Sequence, residues 1–132
     1  MAVEMVTSGI HHLALRVSDY DRSKRFYTET LGFPIALEKG GILIFMAGST
    51  PVSIRGLAEA SPKNDAFNPF RLGLDHVALA CGDEAELQRV AGALTEAGVE
   101  NTGVKMDETL GKRYVAFKDP DRISWEFYMD RG

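Results

Sequence analysis

The sequence predicts an α+β fold of two tandem βαβββ modules, and three observations point to it. First, the chain repeats itself at a constant offset that carries His12 onto His76. Ile10-His11-His12-Leu13-Ala14-Leu15-Arg16-Val17-Ser18-Asp19 runs beside Leu74-Asp75-His76-Val77-Ala78-Leu79-Ala80-Cys81-Gly82-Asp83, with His, Ala, Leu and Asp coinciding. Second, each copy opens with the alternation of a half-buried strand and ends in an aspartate placed to cap a helix. Third, each helix leads into three short strand-like runs separated by turn residues.

The elements follow in order. After Asp19 a thin apolar stripe of Tyr20, Phe26, Tyr27 and Leu31 marks the first helix, with Gly32 as its stop. Strands are expected over Phe33 to Glu38, Ile42 to Ala47 and Pro51 to Arg55, with Gly40-Gly41 as a turn. Gly56 to Phe70, with its Pro, Asn and Asp content, reads as a linker. After Asp83 the residues Leu87, Val90, Ala91, Leu94 and Ala97 keep helical spacing. Glu86 completes a capping-box pattern with Asp83, and Gly98 is the stop. Strands follow over Thr102 to Met106, Arg113 to Lys118 and Ile123 to Met129, with a turn at Asp119-Pro120-Asp121. The whole is one domain over residues 1–132: module one about 9–56, linker about 57–70, module two about 71–130. Pairing the modules side by side would give a curved mixed sheet around a cleft, helices outside.

Composition narrows the function classes. Hydrophobic residues make up 45% and charged residues 26%, the proportions of a globular chain with a real core. The net charge of −4 and the lack of a basic stripe argue against nucleic acid. Cys81 is the single cysteine, so neither an intrachain disulfide nor a Cys-rich zinc site is expected. The opening Met1 to Ser8 has no basic n-region and no long apolar core, so no signal peptide is expected. No apolar run approaches a membrane span. A cytoplasmic protein is the expectation.

Strand alternation selects the candidate site. Leu13, Leu15 and Val17 form an oily face for the helix, which turns His12, Ala14 and Arg16 the other way. Val77, Leu79 and Cys81 do the same in copy two, leaving His76, Ala78 and Ala80. His11 and its counterpart Asp75 are thereby expected on the helix side. In the last strand Ile123, Trp125, Phe127 and Met129 are core, and Ser124, Glu126 and Tyr128 share the cleft face. A carboxylate in a sheet-lined cleft is unfavourable unless paired or bound to a cation. Two imidazoles and one carboxylate, His12, His76 and Glu126, supply that cation site and make the cleft metal-binding. Tyr114 and Tyr128 are the candidate catalytic phenols, placed to hydrogen-bond a bound substrate oxygen. Cys81 is expected to be a small buried hydrophobe.

These motifs together resemble the vicinal oxygen chelate superfamily, which holds glyoxalase I, extradiol dioxygenases, fosfomycin-resistance thiol transferases and bleomycin-resistance proteins. The resemblance covers about residues 9 to 130 and rests on an ordered set of segments. These are His12 to Asp19, Ser23 to Tyr27 through Leu31-Gly32-Phe33, Asp75 to Leu79, Phe117 to Asp121, and Trp125-Glu126-Phe127. It implies paired modules, a divalent metal at His12, His76 and Glu126, and a homodimer. Two positions depart from the pattern. Arg122 stands where the family turn carries glycine, which tolerates φ > 0 far better. The turn therefore takes another geometry, or Arg122 is strained, or it brings a charge to the site; a solvated turn arginine is the favoured reading. Ser53 stands where glyoxalase I-like members place a fourth ligand, and serine is a poor ligand beside histidines.

The implied cofactor is one divalent metal (Fe, Mn, Zn, Ni or Co), with Fe(II) or Mn(II) slightly favoured by a two-histidine, one-carboxylate set with open positions. The implied activity is that of a glyoxalase- or dioxygenase-type enzyme acting on a small molecule chelated through two neighbouring oxygens. Dioxygenation, lyase or isomerase chemistry and thiol transfer all stay open. For thiol transfer an anion cluster would be needed, and Arg16, Arg55, Lys112, Arg113 and Lys118 are the candidates. The alternative is a ligand-sequestering binding protein of bleomycin-resistance type without catalysis. No nucleic-acid or membrane partner is expected.

Overall fold

The computed structural model describes residues 1–131. The order is β1 (Leu13–Arg16), α1 (Tyr20–Arg25) running into a π-helical turn (Phe26–Thr30), β2 (Ile35–Lys39), β3 (Ile42–Ala47), β4 (Thr50–Arg55), β5 (Val77–Cys81), α2 (Glu84–Glu96), β6 (Asn101–Asp107), β7 (Lys112–Lys118) and β8 (Ser124–Met129). This is the βαβββ repeat, and its ends differ from the sequence reading by a residue or two, where strands fray. The chain divides into two compact units, Met1–Ala58 and Glu59 onward, one module in each. No helix among the described residues is long and apolar enough to cross a membrane.

Module one is a four-stranded sheet in the order β1-β4-β3-β2. The pair β1 and β4 run parallel, with Ala14 opposite Ser53 and Arg16 opposite Arg55; the remaining pairs are antiparallel. Alternation buries one face: Leu15, Leu43, Phe45, Val52 and Ile54 lie in the core with Val17. Tyr27 stacks on Phe45 with centroids 5.0 Å apart, and Phe33 stacks on Phe45 at 5.2 Å. The thin stripe of the first helix is explained by the π turn. Phe26 and Tyr27 are both buried within that turn, whose wider winding shifts the later residues off the 3.6-residue spacing. Asp19 caps α1 by accepting from Arg22 N at 3.1 Å. Glu38 of β2 holds the helix down, accepting from Tyr20 Oη and Lys24 Nζ at 2.7 Å each.

Module two repeats the design as β5-β8-β7-β6, with β5 and β8 parallel. Here Ala78 is opposite Glu126 and Ala80 opposite Tyr128. The core is Leu87, Ala91 and Leu94 of α2 against Val115, Phe117, Trp125 and Met129, with Cys81 buried as expected. Burial pushes the Cys81 thiol above its ordinary pKa. Asp83 caps α2, accepting from Ala85 N at 2.7 Å and Glu86 N at 3.3 Å. The reciprocal half of the capping box is replaced: the Glu86 carboxylate turns to Arg89, one helical turn on, at 2.7 Å from both Nε and Nη2. A bidentate guanidinium bond outcompetes one backbone N–H for a surface carboxylate. Gly98, at φ +74, closes the helix as expected.

Candidate metal centre

His76 lies immediately before β5, and Glu126 stands in β8 opposite Ala78. The parallel pairing of those strands brings the two side chains together: His76 Nε2 is 3.3 Å from Glu126 Oε1. The other imidazole nitrogen, Nδ1, is 2.7 Å from Asp75 Oδ1. A carboxylate accepts, so Nδ1 is the donor to Asp75, and Nε2 is the nitrogen turned to Glu126. Ligand atoms bound at about 2.0–2.2 Å to one ion sit about that far apart, so this donor pair fits a divalent metal. Asp75 thus fixes the orientation of the His76 ring, as a carboxylate partner does for a histidine that ligates a metal. Glu126 has a side chain only 19% exposed. Burial pushes its carboxyl above the ordinary range, against the opposing pull of His76.

His12 belongs to module one, immediately before β1. It is the repeat-equivalent of His76, and its neighbour again meets its Nδ1: His11 Nδ1 and His12 Nδ1 are 2.8 Å apart. The expectation that His11 and Asp75 turn to the helix side is therefore corrected. Both residues precede their strands, so strand alternation does not govern them, and each contacts the histidine that follows. The structure brings His76 and Glu126 together and keeps His12 with His11. Among the described residues no group of three His, Cys, Asp or Glu side chains suited to a metal ion is present. Ser53 occupies the place in β4 that Glu126 occupies in β8. Its Oγ is buried and without a hydrogen-bond partner.

The two phenols share the sheet face of Glu126 but look elsewhere. Tyr128 Oη donates to Asp107 Oδ2 at 2.8 Å, and its ring stacks on Tyr114 with centroids 5.8 Å apart. Burial, and then Asp107, push the Tyr128 phenol to about 12. Of the cationic candidates, Arg113 pairs with Glu84 of α2 at 2.7 Å, and Arg16 donates to the Gly56 carbonyl at 2.8 Å.

A cavity of about 520 Å³ opens within module two. His76 and Glu126 line it, together with Lys118, Arg122, Phe70 and Trp125. Arg122 is the exposed turn arginine of the favoured reading, its side chain 61% exposed, and it is strained as well. Its φ is +65, the left-handed geometry that suits glycine. The turn enforces this. Asp119 N donates to Ile123 O at 3.1 Å, Arg122 N donates to Asp119 O at 2.9 Å, and the buried Asp119 carboxylate accepts from Asp121 N and Ile123 N at 2.9 and 2.7 Å. Asp75 and Arg122 line the cavity as well, which alternation alone could not give. The turn motif flagged the second.

Comparison with known proteins agrees with this fold. The family model for the Glyoxalase/Bleomycin resistance protein/Dioxygenase superfamily matches residues 9–127. The chain is 31% identical over 129 residues to the uncharacterized protein YwkD of Bacillus subtilis (strain 168), covering 94% of this chain and 98% of that one. Among solved structures it resembles a glyoxylase/bleomycin resistance protein/dioxygenase domain from Frankia sp. EAN1pec, with TM-score 0.82, 26% identity and coverage of 96% and 94%. It also resembles a glyoxalase family protein from Enterococcus faecalis, with TM-score 0.75, 31% identity and coverage of 94% and 99%.

Proposed function

The chain belongs to the glyoxalase/bleomycin resistance protein/dioxygenase superfamily, and from that premise we propose that it is a divalent-metal-dependent enzyme acting on a small molecule chelated through two neighbouring oxygens. The observation that carries the reading is the 3.3 Å approach of His76 Nε2 to Glu126 Oε1, with Nδ1 held by Asp75. His76 and Glu126 would hold the ion, and His12, the repeat-equivalent of His76, would be the third ligand. Ser53 adds none, so positions remain open for water and substrate. Fe(II) or Mn(II) suits such a donor set best.

When bound, the metal supplies Lewis-acid stabilisation of a developing oxyanion. The chain's own residues do the rest. Asp75 keeps the Nδ1 proton of His76 in place, so that Nε2 stays available as a ligand. Glu126 contributes negative charge from a half-buried position, where screening by water is weak. Tyr114 and Tyr128 lie on the same sheet face as Glu126. The Tyr128 proton is held toward Asp107, which makes that phenol a poor acid at neutral pH and suits it to positioning. Phe70 and Trp125 give the cavity an apolar wall beside its polar groups.

Elemental analysis of protein purified without chelator tests the reading. About one divalent ion per chain is expected, lost in His12→Ala and in Glu126→Ala. Full retention in both variants overturns it. Anaerobic loading with Fe(II) followed by a catechol panel then separates dioxygenase from isomerase, lyase and transferase chemistry. Tight drug binding by metal-free protein without turnover would instead assign a sequestering protein.

A further inference from the structure

We infer that the module-two cavity takes a substrate bearing a second, terminal oxyanion (a carboxylate or a phosphate), anchored by Lys118 with Arg122 at the rim. The inference rests on the metal-centre reading above and adds the substrate class to it.

Three observations carry it. First, Lys118 lines the same cavity as His76 and Glu126. Its register partner is Ser124, two residues before Glu126 on the same strand face. Two residues along a strand span roughly 7 Å, so its ammonium stands within a small molecule's length of the Glu126 carboxylate. Second, the charges around Lys118 are already spoken for. Asp75 is engaged by His76, Glu126 faces His76, and Glu100 is paired with Arg122 at 3.1 Å. The side-chain partner of Lys118 is the Ser124 hydroxyl, and no carboxylate lies in ion-pair range of it among the described residues. A lysine that lines a cavity with only a hydroxyl for company is an anchor for an anion that arrives with the ligand.

Third, Arg122 holds a left-handed backbone that glycine would adopt without strain. Strain kept at a cavity rim points to a use for the side chain. Nη1 meets Glu100, and the guanidinium has further donors to offer. Lys118 and Arg122 therefore give the cavity a cationic end, with the chelating end at His76 and Glu126. A ligand matching both has neighbouring oxygens at one end and an oxyanion at the other.

The test is calorimetric titration of Mn(II)-loaded protein with 2-oxoglutarate, its 5-methyl ester, and the analogue whose terminal carboxylate is a phosphonate. The diacid should bind about tenfold or more tightly than the ester, as expected for a charge-assisted contact. Lys118→Met should erase that preference. Arg122→Gly should reduce it several-fold while raising Tm, because it relieves the strained turn. Mn(II) stoichiometry should stay unchanged in both variants. If the phosphonate binds more tightly than the carboxylate, the natural oxyanion is a phosphate; if less, a carboxylate. Equal binding of diacid and ester by the unmodified protein, or a preference that survives Lys118→Met, overturns the inference. Should the protein take up no Mn(II), the metal-centre reading falls separately. Succinate against its monomethyl ester on metal-free protein then still decides for or against the cationic anchor.

Discussion

Modules one and two share strand order and the parallel pairing of first and last strand, yet the sheet faces turned away from their helices carry different chemistry. At matched places, module one sets Ala14 beside Ser53 and Arg16 beside Arg55, while module two sets Ala78 beside Glu126 and Ala80 beside Tyr128. The next strand offers Ile44 and Ile42 in module one and Ala116 and Tyr114 in module two. The helix faces differ as well. Leu87 of α2 is fully buried, and its repeat-equivalent in α1 is Ser23, equally buried, with an unpartnered hydroxyl. The same scaffold thus holds a carboxylate and two phenols on its sheet and a close-packed leucine on its helix in one module, and two orphan hydroxyls, Ser53 and Ser23, in the other. The scaffold fixes where a side chain points; which residue stands there decides whether the module has chemistry.

The largest expected effect follows from this asymmetry. Glu126→Ala should abolish metal uptake, and Ser53→Ala should leave it untouched, both read by elemental analysis. Loss of metal in Ser53→Ala would show that module one contributes a ligand from that strand. The helix faces give the next effect. Leu87→Ala should destabilise by about 3 kcal/mol in denaturant melts, from lost transfer energy and a residual cavity. Ser23→Ala should be stabilising by about 1 kcal/mol, because it removes a buried hydroxyl that has no partner. If Ser23→Ala destabilises instead, that hydroxyl makes a bond that this packing does not contain.

Smaller again is the effect of the residues that orient the histidines. Asp75→Asn keeps the shape but removes the charge that polarises His76, and should weaken metal affinity about 10–100-fold. His11, its counterpart, offers an imidazole to His12 Nδ1 and supplies no negative charge. His11→Gln should therefore weaken affinity less than Asp75→Asn does. Equal effects would place the two modules on the same footing. Competition with a chromogenic chelator measures both.

Most of this asymmetry is legible in the order of residues. The repeat sets His12 against His76, and period-two alternation puts Glu126, Tyr128 and Tyr114 on one face. Regular strands obey that period strictly, which is why those assignments carry over into β7 and β8. Alternation stops where strands stop, so the contacts of His11 and Asp75 escape it. Tyr128 reaches Asp107 across β7 to the edge strand β6, past a register shift between Asn101 and Val104 that no local pattern announces. The π turn hides in a stripe whose spacing merely looks weak. Arg122 stands out in the sequence as an anomaly, but only the closed Asp119–Ile123 turn shows that it keeps a glycine's geometry.

The finest contrast lies in the two helix caps. Asp19 satisfies one backbone N–H of a six-residue α-helix. Asp83 satisfies two at the start of a thirteen-residue one. Replacing an N-cap aspartate by alanine typically costs about 1 kcal/mol. Asp83→Ala should reach that value or exceed it, since two donors lose their acceptor and the longer helix has a larger dipole for the carboxylate to offset. Asp19→Ala should stay below it, because Tyr20 and Lys24 still tie the helix to Glu38. That tie is electrostatic on the Lys24 side, where Lys24 first and Tyr20 second hold the Glu38 carboxyl below its ordinary range. A carboxyl depressed in the folded state stabilises above its unfolded pKa and loses that contribution as pH falls through the folded value. The gap between the two variants should therefore narrow at acid pH, as the Asp19 variant loses its remaining support. Urea melts at neutral pH and at pH values below the carboxylate range would show it. A gap that stays constant would mean that the Glu38 tie does nothing to hold α1.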